Sequence, residues 1–143
     1  MNRENWTLLA ICSAQDKGIS PLQLQKSLFL LGKELPREVG RDFYKFIPYN
    51  YGPFNSTIYG DAERLSGSGL VTVLYPPGQR WPLYIATPEG IKHAKEVEKK
   101  ASSDATSYLK KIVNWACSLT FQQLVQTIYR KYPEFRANSV FRN

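Results

Sequence analysis

The chain has 143 residues, 43% hydrophobic and 22% charged, which is the composition of one ordinary globular domain. A chain of this length buries roughly two-thirds of its unfolded surface, so its core needs neither a metal nor a disulfide, and no cofactor is expected. No apolar run approaches the ~18 residues of a membrane span, and the N-terminal stretch lacks the apolar segment of a signal peptide. A cytoplasmic location is therefore expected.

The net charge is +7. It favours a polyanion such as nucleic acid or an acidic partner, with plain solubility as the alternative. The excess is uneven: residues 1–87 hold nine Lys/Arg against seven Asp/Glu, and residues 88–143 hold ten against five. Any anionic footprint should lean on the C-terminal third. Cys12 and Cys117 both fall in apolar helical patterns and read as buried free thiols, with a disulfide between them as the alternative.

The first helix is predicted over residues 4–16 from Leu8, Ile11 and Cys12, and Gly18 stops it. Ser20-Pro21-Leu22-Gln23 is a helix start, with Ser20 as cap, Pro21 at the first helical position and Gln23 reaching back. Leu24, Leu28, Leu31 and Leu35 form one stripe of this second helix. A polar loop follows from Pro36 to Asp42. The aromatic run Phe43–Phe54, interrupted by Pro48 and Pro53, suits a short extended segment and a turn. Asn55 caps a third helix that buries Ile58, Ala62 and Leu65 and ends at Gly67 and Gly69.

Residues 70–75 and 83–86 read as two strands joined by the loop Pro76–Trp81. Thr87-Pro88 caps a fourth helix with Ile91, Ala94, Val97 and Ala101 on its inner face. After a break at Ser102–Asp104, a fifth helix carries Leu109, Ile112, Val113 and Ala116. Thr120 and Gln123 box the start of a sixth, with Phe121, Leu124, Val125, Ile128 and Tyr132, and Pro133 ends it. Glu134–Asn143 is a basic tail.

Helix, helix, connector, helix, strand, loop, strand is the order of a winged helix-turn-helix domain. The expected class is α+β, mostly α. A winged-helix domain spans residues 1–101, and a C-terminal helical extension spans residues 102–143, packing on it or forming a homodimer interface through residues 105–132.

Several segments carry a family likeness. Gln25-Lys26-Ser27-Leu28-Phe29-Leu30-Leu31, the connector Phe46-Ile47-Pro48-Tyr49-Asn50-Tyr51-Gly52-Pro53-Phe54, Ile58-Tyr59 with Leu65, Gly69 and Leu70, and Thr87-Pro88-Glu89-Gly90 together resemble bacterial YwgA-like proteins and the SocA-like antitoxin (Panacea) domain. The resemblance covers about residues 5–100, and the Tyr-Gly-Pro-Phe connector is its most specific part. It implies an antitoxin-like or phage-associated role and supplies no catalytic residues.

Two functions follow as expectations. The first is a DNA-binding transcriptional regulator of bacterial or phage origin, acting on double-stranded DNA. Its third helix would present Asn55, Ser56, Thr57, Tyr59 and Arg64, its wing loop Gln79 and Arg80, and its fourth helix Lys92, Lys95 and Lys99, which share one face. Asp61 and Glu63 on the third helix leave Arg64 as its only cation, which weakens that reading. The alternative is a module that holds a toxin or another protein without touching DNA. Tyr49, Tyr51 and Phe54 read as core filling between the second and third helices, with a stacking surface as the alternative. Trp81 reads as packing under the hairpin. His93 stands alone, Cys12 and Cys117 lack ligand spacing, and no phosphate loop or nucleophile elbow occurs. No metal and no enzymatic activity are expected.

Overall fold

The computed structural model describes residues 1–141; the end of the basic tail, Arg142 and Asn143, lies outside the described residues. The protein is α+β and mostly helical. Its elements run α1 (Arg3–Ser13), α2 (Pro21–Glu34), α3 (Pro36–Val39), β1 (Ile47–Tyr49), β2 (Gly52–Phe54), α4 (Thr57–Gly67), β3 (Val71–Leu74), β4 (Leu83–Ala86), α5 (Pro88–Glu98), α6 (Ser103–Ser118) and α7 (Phe121–Lys131). The strands form two separate antiparallel hairpins. Among the described residues, no helix is long and apolar enough to cross a membrane.

The local start signals act as the residue types dictate. Ser20 and Gln23 make a reciprocal capping box at α2, as do Thr120 and Gln123 at α7. Thr87 Oγ1 accepts from Gly90 N (3.0 Å) at α5 and donates to Gly69 O. Each cap satisfies helix N–H groups that would otherwise lack a partner. Asn55 caps α4 from one position further out than a standard N-cap: its Oδ1 accepts from Thr57 N (2.8 Å), while Ser56 takes the N-cap position with no side-chain bond.

Two segments differ from the sequence-based expectation, and a third, the aromatic connector, meets it with two short extended strands and a turn. The first helix stops at Ser13 and a single 3₁₀ turn covers Gln15–Lys17, because Gln15 takes a positive φ of 56°. The polar loop contains the one-turn α3, opened by Pro36. The aromatic connector pairs with itself, Ile47 with Phe54 and Tyr49 with Gly52.

The main core cluster runs from α1 through α7, with Trp6, Leu8, Ile11, Leu24, Leu28, Leu31, Ile58, Leu109, Leu124 and Ile128 among its fully buried members, and Val125, Tyr129 and Phe141 form a second, small cluster. α1 touches α2, α4, α5, α6 and β4, and α6 packs on both α1 and α2. The apolar face of α6, Leu109, Ile112, Val113 and Ala116, is therefore covered within the chain. Ile91 is 44% exposed, contrary to expectation. The buried stripe of α5 is Gly90, Ala94 and Val97, one position round the helix. Cys12 and Cys117 are free and half-buried.

Two charged side chains are buried among the described residues, Asp61 and Lys26. Asp61, at 0% exposure, accepts from the Tyr44 hydroxyl and pairs with Arg64, with Arg3 Nε at 3.4 Å. Thr7 Oγ1 lies 2.6 Å from that hydroxyl; since the phenol gives its proton to Asp61, Thr7 donates. The network ties α1, the connector and α4 together. Asp61→Ala is expected to cost about 2–3 kcal/mol, because the buried phenol loses its acceptor. Asp61→Asn should cost about 1 kcal/mol, since both arginines reach solvent and their pairs count for little. Urea unfolding of the two variants checks the order; equal losses would show that charge, not hydrogen bonding, dominates.

Candidate aromatic cleft between the hairpins

Among the described residues, β1 and β2 pair only with each other. Ile47 and Tyr49, two residues apart, share one face, and both are exposed, Tyr49 at 46%. Tyr51 at the turn is also exposed. The expectation that Tyr49 and Tyr51 fill the core is corrected on this point, whereas Phe54 is half-buried. Trp81 is likewise 46% exposed. Instead of lying under its own hairpin it stacks on Phe121 of α7, centroids 6.3 Å apart and planes within 7°.

These rings form two touching runs. Tyr49 stacks on Phe54 (4.6 Å), which meets Tyr59 of α4 edge-on (5.6 Å). Tyr51 meets Phe121 edge-on (5.0 Å), and Phe121 carries Trp81. Between them lies a cleft of about 220 Å³ lined by Tyr49, Tyr51, Phe54, Tyr59 and Trp81, with Gln25 and Lys26 of α2 in its wall. Arg80 sits over the Trp81 ring, 5.9 Å from its centroid.

The polar wall is built from α2. The Gln25 side chain accepts from Asn55 N (2.9 Å) and donates to Asn55 O (2.8 Å), pinning the start of α4 to α2. Lys26 is 2% exposed. Its Nζ donates to Pro53 O at 3.1 Å, and among the described residues no carboxylate pairs with it. Burial lowers this amine to about 7, because an ammonium loses hydration there. Gly52 has a φ of 103°, and a Cβ on it would stand 3.6 Å from Lys26 Nζ and 3.3 Å from the Tyr129 ring. Glycine thus supplies both the turn conformation and the space beside the amine.

The predicted contact residues divide between places. Tyr59 borders the cleft, and Gln79 borders the adjoining crevice formed with Trp81 and Phe121. Asn55 is near, with both side-chain polar atoms engaged: its Oδ1 caps α4 and its Nδ2 donates to Lys45 O (2.6 Å). Ser56 is exposed and Thr57 half-buried at the head of α4. Arg64 is occupied by Asp61, with Glu4 also in reach at 3.7 Å. Lys92, Lys95 and Lys99 are exposed on α5. Lys95 borders a different crevice between α1, α5 and α6, and Lys99 pairs with Glu96. No residue of α5 lines the aromatic cleft.

Lys26 was missed by the sequence reasoning. Its signal is that Leu24 to Leu31 is apolar but for Gln25, Lys26 and Ser27, the pattern of a helix covered on every side. Among the described residues, no group of three or more His, Cys, Asp or Glu is placed to hold a metal. Neither protein-family models nor curated proteins give a match to this chain.

Proposed function

We propose that the protein is a non-enzymatic winged-helix module that docks a partner protein across the aromatic cleft, in the manner of an antitoxin or a phage-associated adaptor. The observation that carries this reading is the exposure of Tyr49, Tyr51 and Trp81 side by side. Tyrosine, tryptophan and arginine dominate the energetic centres of protein interfaces, and Arg80 stands over the Trp81 ring. The order α1, α2, α4, β3, β4 supports the winged-helix assignment, and the Tyr-Gly-Pro-Phe connector, which resembles the SocA-like antitoxin domain, is the element that builds the cleft.

The face where a winged helix would meet a duplex is poor in free cations. Arg64 is paired and the Asn55 side chain is engaged internally, whereas groove binding draws most of its affinity from phosphate contacts. A second reading, binding of double-stranded DNA, is favoured by the charge of +7 and by the exposed lysines of α5.

Two triple variants separate the readings. Tyr49→Ser/Tyr51→Ser/Trp81→Ser is expected to weaken capture of a partner from native cells by about 30-fold or more. Lys92→Glu/Lys95→Glu/Lys99→Glu should leave capture intact. Salt-dependent binding to random duplex DNA that the lysine triple abolishes and the aromatic triple spares would overturn the proposal.

A further inference from the structure

The cleft is apolar on its rings and holds one charged group in its wall. The Lys26 side chain is almost wholly buried, one of its three donors is used by Pro53 O, and among the described residues no carboxylate pairs with it. We infer that the cleft is a carboxylate-accepting site, in which Lys26 is the counter-ion for an acidic side chain of the partner and the surrounding rings hold the apolar group beside that acid. This rests on the docking reading above and names the chemistry the partner must present.

The argument is one of charge complementarity. A buried ammonium without an anion is costly, and an incoming carboxylate supplies the missing partner in a setting where charge-assisted hydrogen bonds are strong. The volume fits. A cleft of about 220 Å³ is below the roughly 300–1,000 Å³ that encloses a drug-sized ligand, and suits one or two side chains. Tyr49 and Tyr51 from the first hairpin, Tyr59 from α4 and Tyr129 from α7 are the titratable groups around the amine. Arg80 stands over the Trp81 ring, which borders the cleft.

A pH signature follows. Free Lys26 loses its proton near 7, and a bound carboxylate favours the ammonium. Binding below pH 7 is therefore proton-neutral. Above pH 7 it takes up a proton, and affinity falls by up to tenfold per unit until the pKa of the complex is passed.

Phenylacetate serves as the probe, with phenylacetamide as its uncharged match. Trp81 fluorescence reports binding, and the ¹³Cε resonance of labelled Lys26 reports protonation. At pH 6 phenylacetate is expected to bind at least tenfold more tightly than the amide, and to move the Lys26 titration upward by a unit or more. Lys26→Met and Lys26→Gln should erase the preference for the acid while circular dichroism shows both variants folded. Equal affinity for acid and amide, absence of binding by either, or a preference that survives in the folded variants would each overturn the assignment. If the acid is not preferred but the aromatic triple still abolishes partner capture, the carboxylate assignment falls and the docking reading stands. An acid preference with capture unaffected by the triple has the reverse meaning.

Discussion

Gly90→Ala is expected to destabilise the protein by about 3 kcal/mol or more, a fall of roughly 10 °C in Tm. A Cβ at this position would lie 1.9 Å from Leu70 O and 2.9 Å from Leu70 C. Those atoms are backbone, and they cannot retreat cheaply. Leu70 O accepts from Thr87 N at 3.0 Å, and Leu70 N donates to Leu65 O at 2.9 Å, so the residue is held from both sides between α4 and β3. Relief requires α5 to lift off. That movement breaks the Thr87 cap and pulls Ala94 and Val97 out of the core. The glycine of Thr87-Pro88-Glu89-Gly90 is thus explained by a close helix–backbone approach, not by an unusual φ. Gly60→Ala is the control. It lies inside α4, and its added Cβ would have only an Arg64 nitrogen at 3.9 Å, so the change should stabilise by about 0.5–1 kcal/mol. Denaturant unfolding of both variants checks the pair; a loss under about 1 kcal/mol at Gly90 would remove the close-approach explanation.

What was legible in the sequence is what neighbours three or four residues apart decide. The boxes at Ser20/Gln23 and Thr120/Gln123, the Thr87 cap and the β3–β4 hairpin are local devices, and their residues announce them. The stripe Leu24, Leu28, Leu31 marks the inner face of α2 for the same reason. The candidate site was mostly illegible, because it is assembled from distant parts of the chain. Lys26 is covered by Gly52 and Pro53, and its apolar neighbours on α2 mark a buried stretch without telling which distant residues cover it. Tyr49 and Tyr51 looked like core because aromatic side chains usually are. They are exposed because they stand at the end and turn of a short hairpin, Tyr49 opposite Gly52. Trp81 follows Phe121, forty residues on. Asn55 reads equally well as a base reader or a cap, and the cap bond to Thr57 N becomes visible only in the fold.

Lys26→Met is expected to stabilise the protein at pH 6–7, by about 3–4 kcal/mol, with a gain that shrinks as pH rises toward 10. The folded amine titrates near 7 and an unfolded lysine near 10.4. Between these values the unfolded chain binds more protons than the folded one, so the lysine makes wild-type stability rise with pH across that window. Below pH 7 both states carry the proton and the full cost of burying the charge is present. Above about pH 10.5 neither does, and the cost is gone. Methionine has a similar length and no charge, so it keeps the packing and has no such slope; it gives up only the bond to Pro53 O. The Cys12 thiol acts in the opposite sense above about pH 8.5, since burial and Glu98 push it up to about 11. The decisive quantity is therefore the difference between the two unfolding curves, in which the thiol cancels. A constant difference from pH 6 to 10, or a methionine variant less stable than the wild type at pH 6, would mean that Lys26 keeps its proton in the fold. A shrinking difference would identify a charge the free protein can barely hold, whose cost a carboxylate entering the cleft would relieve.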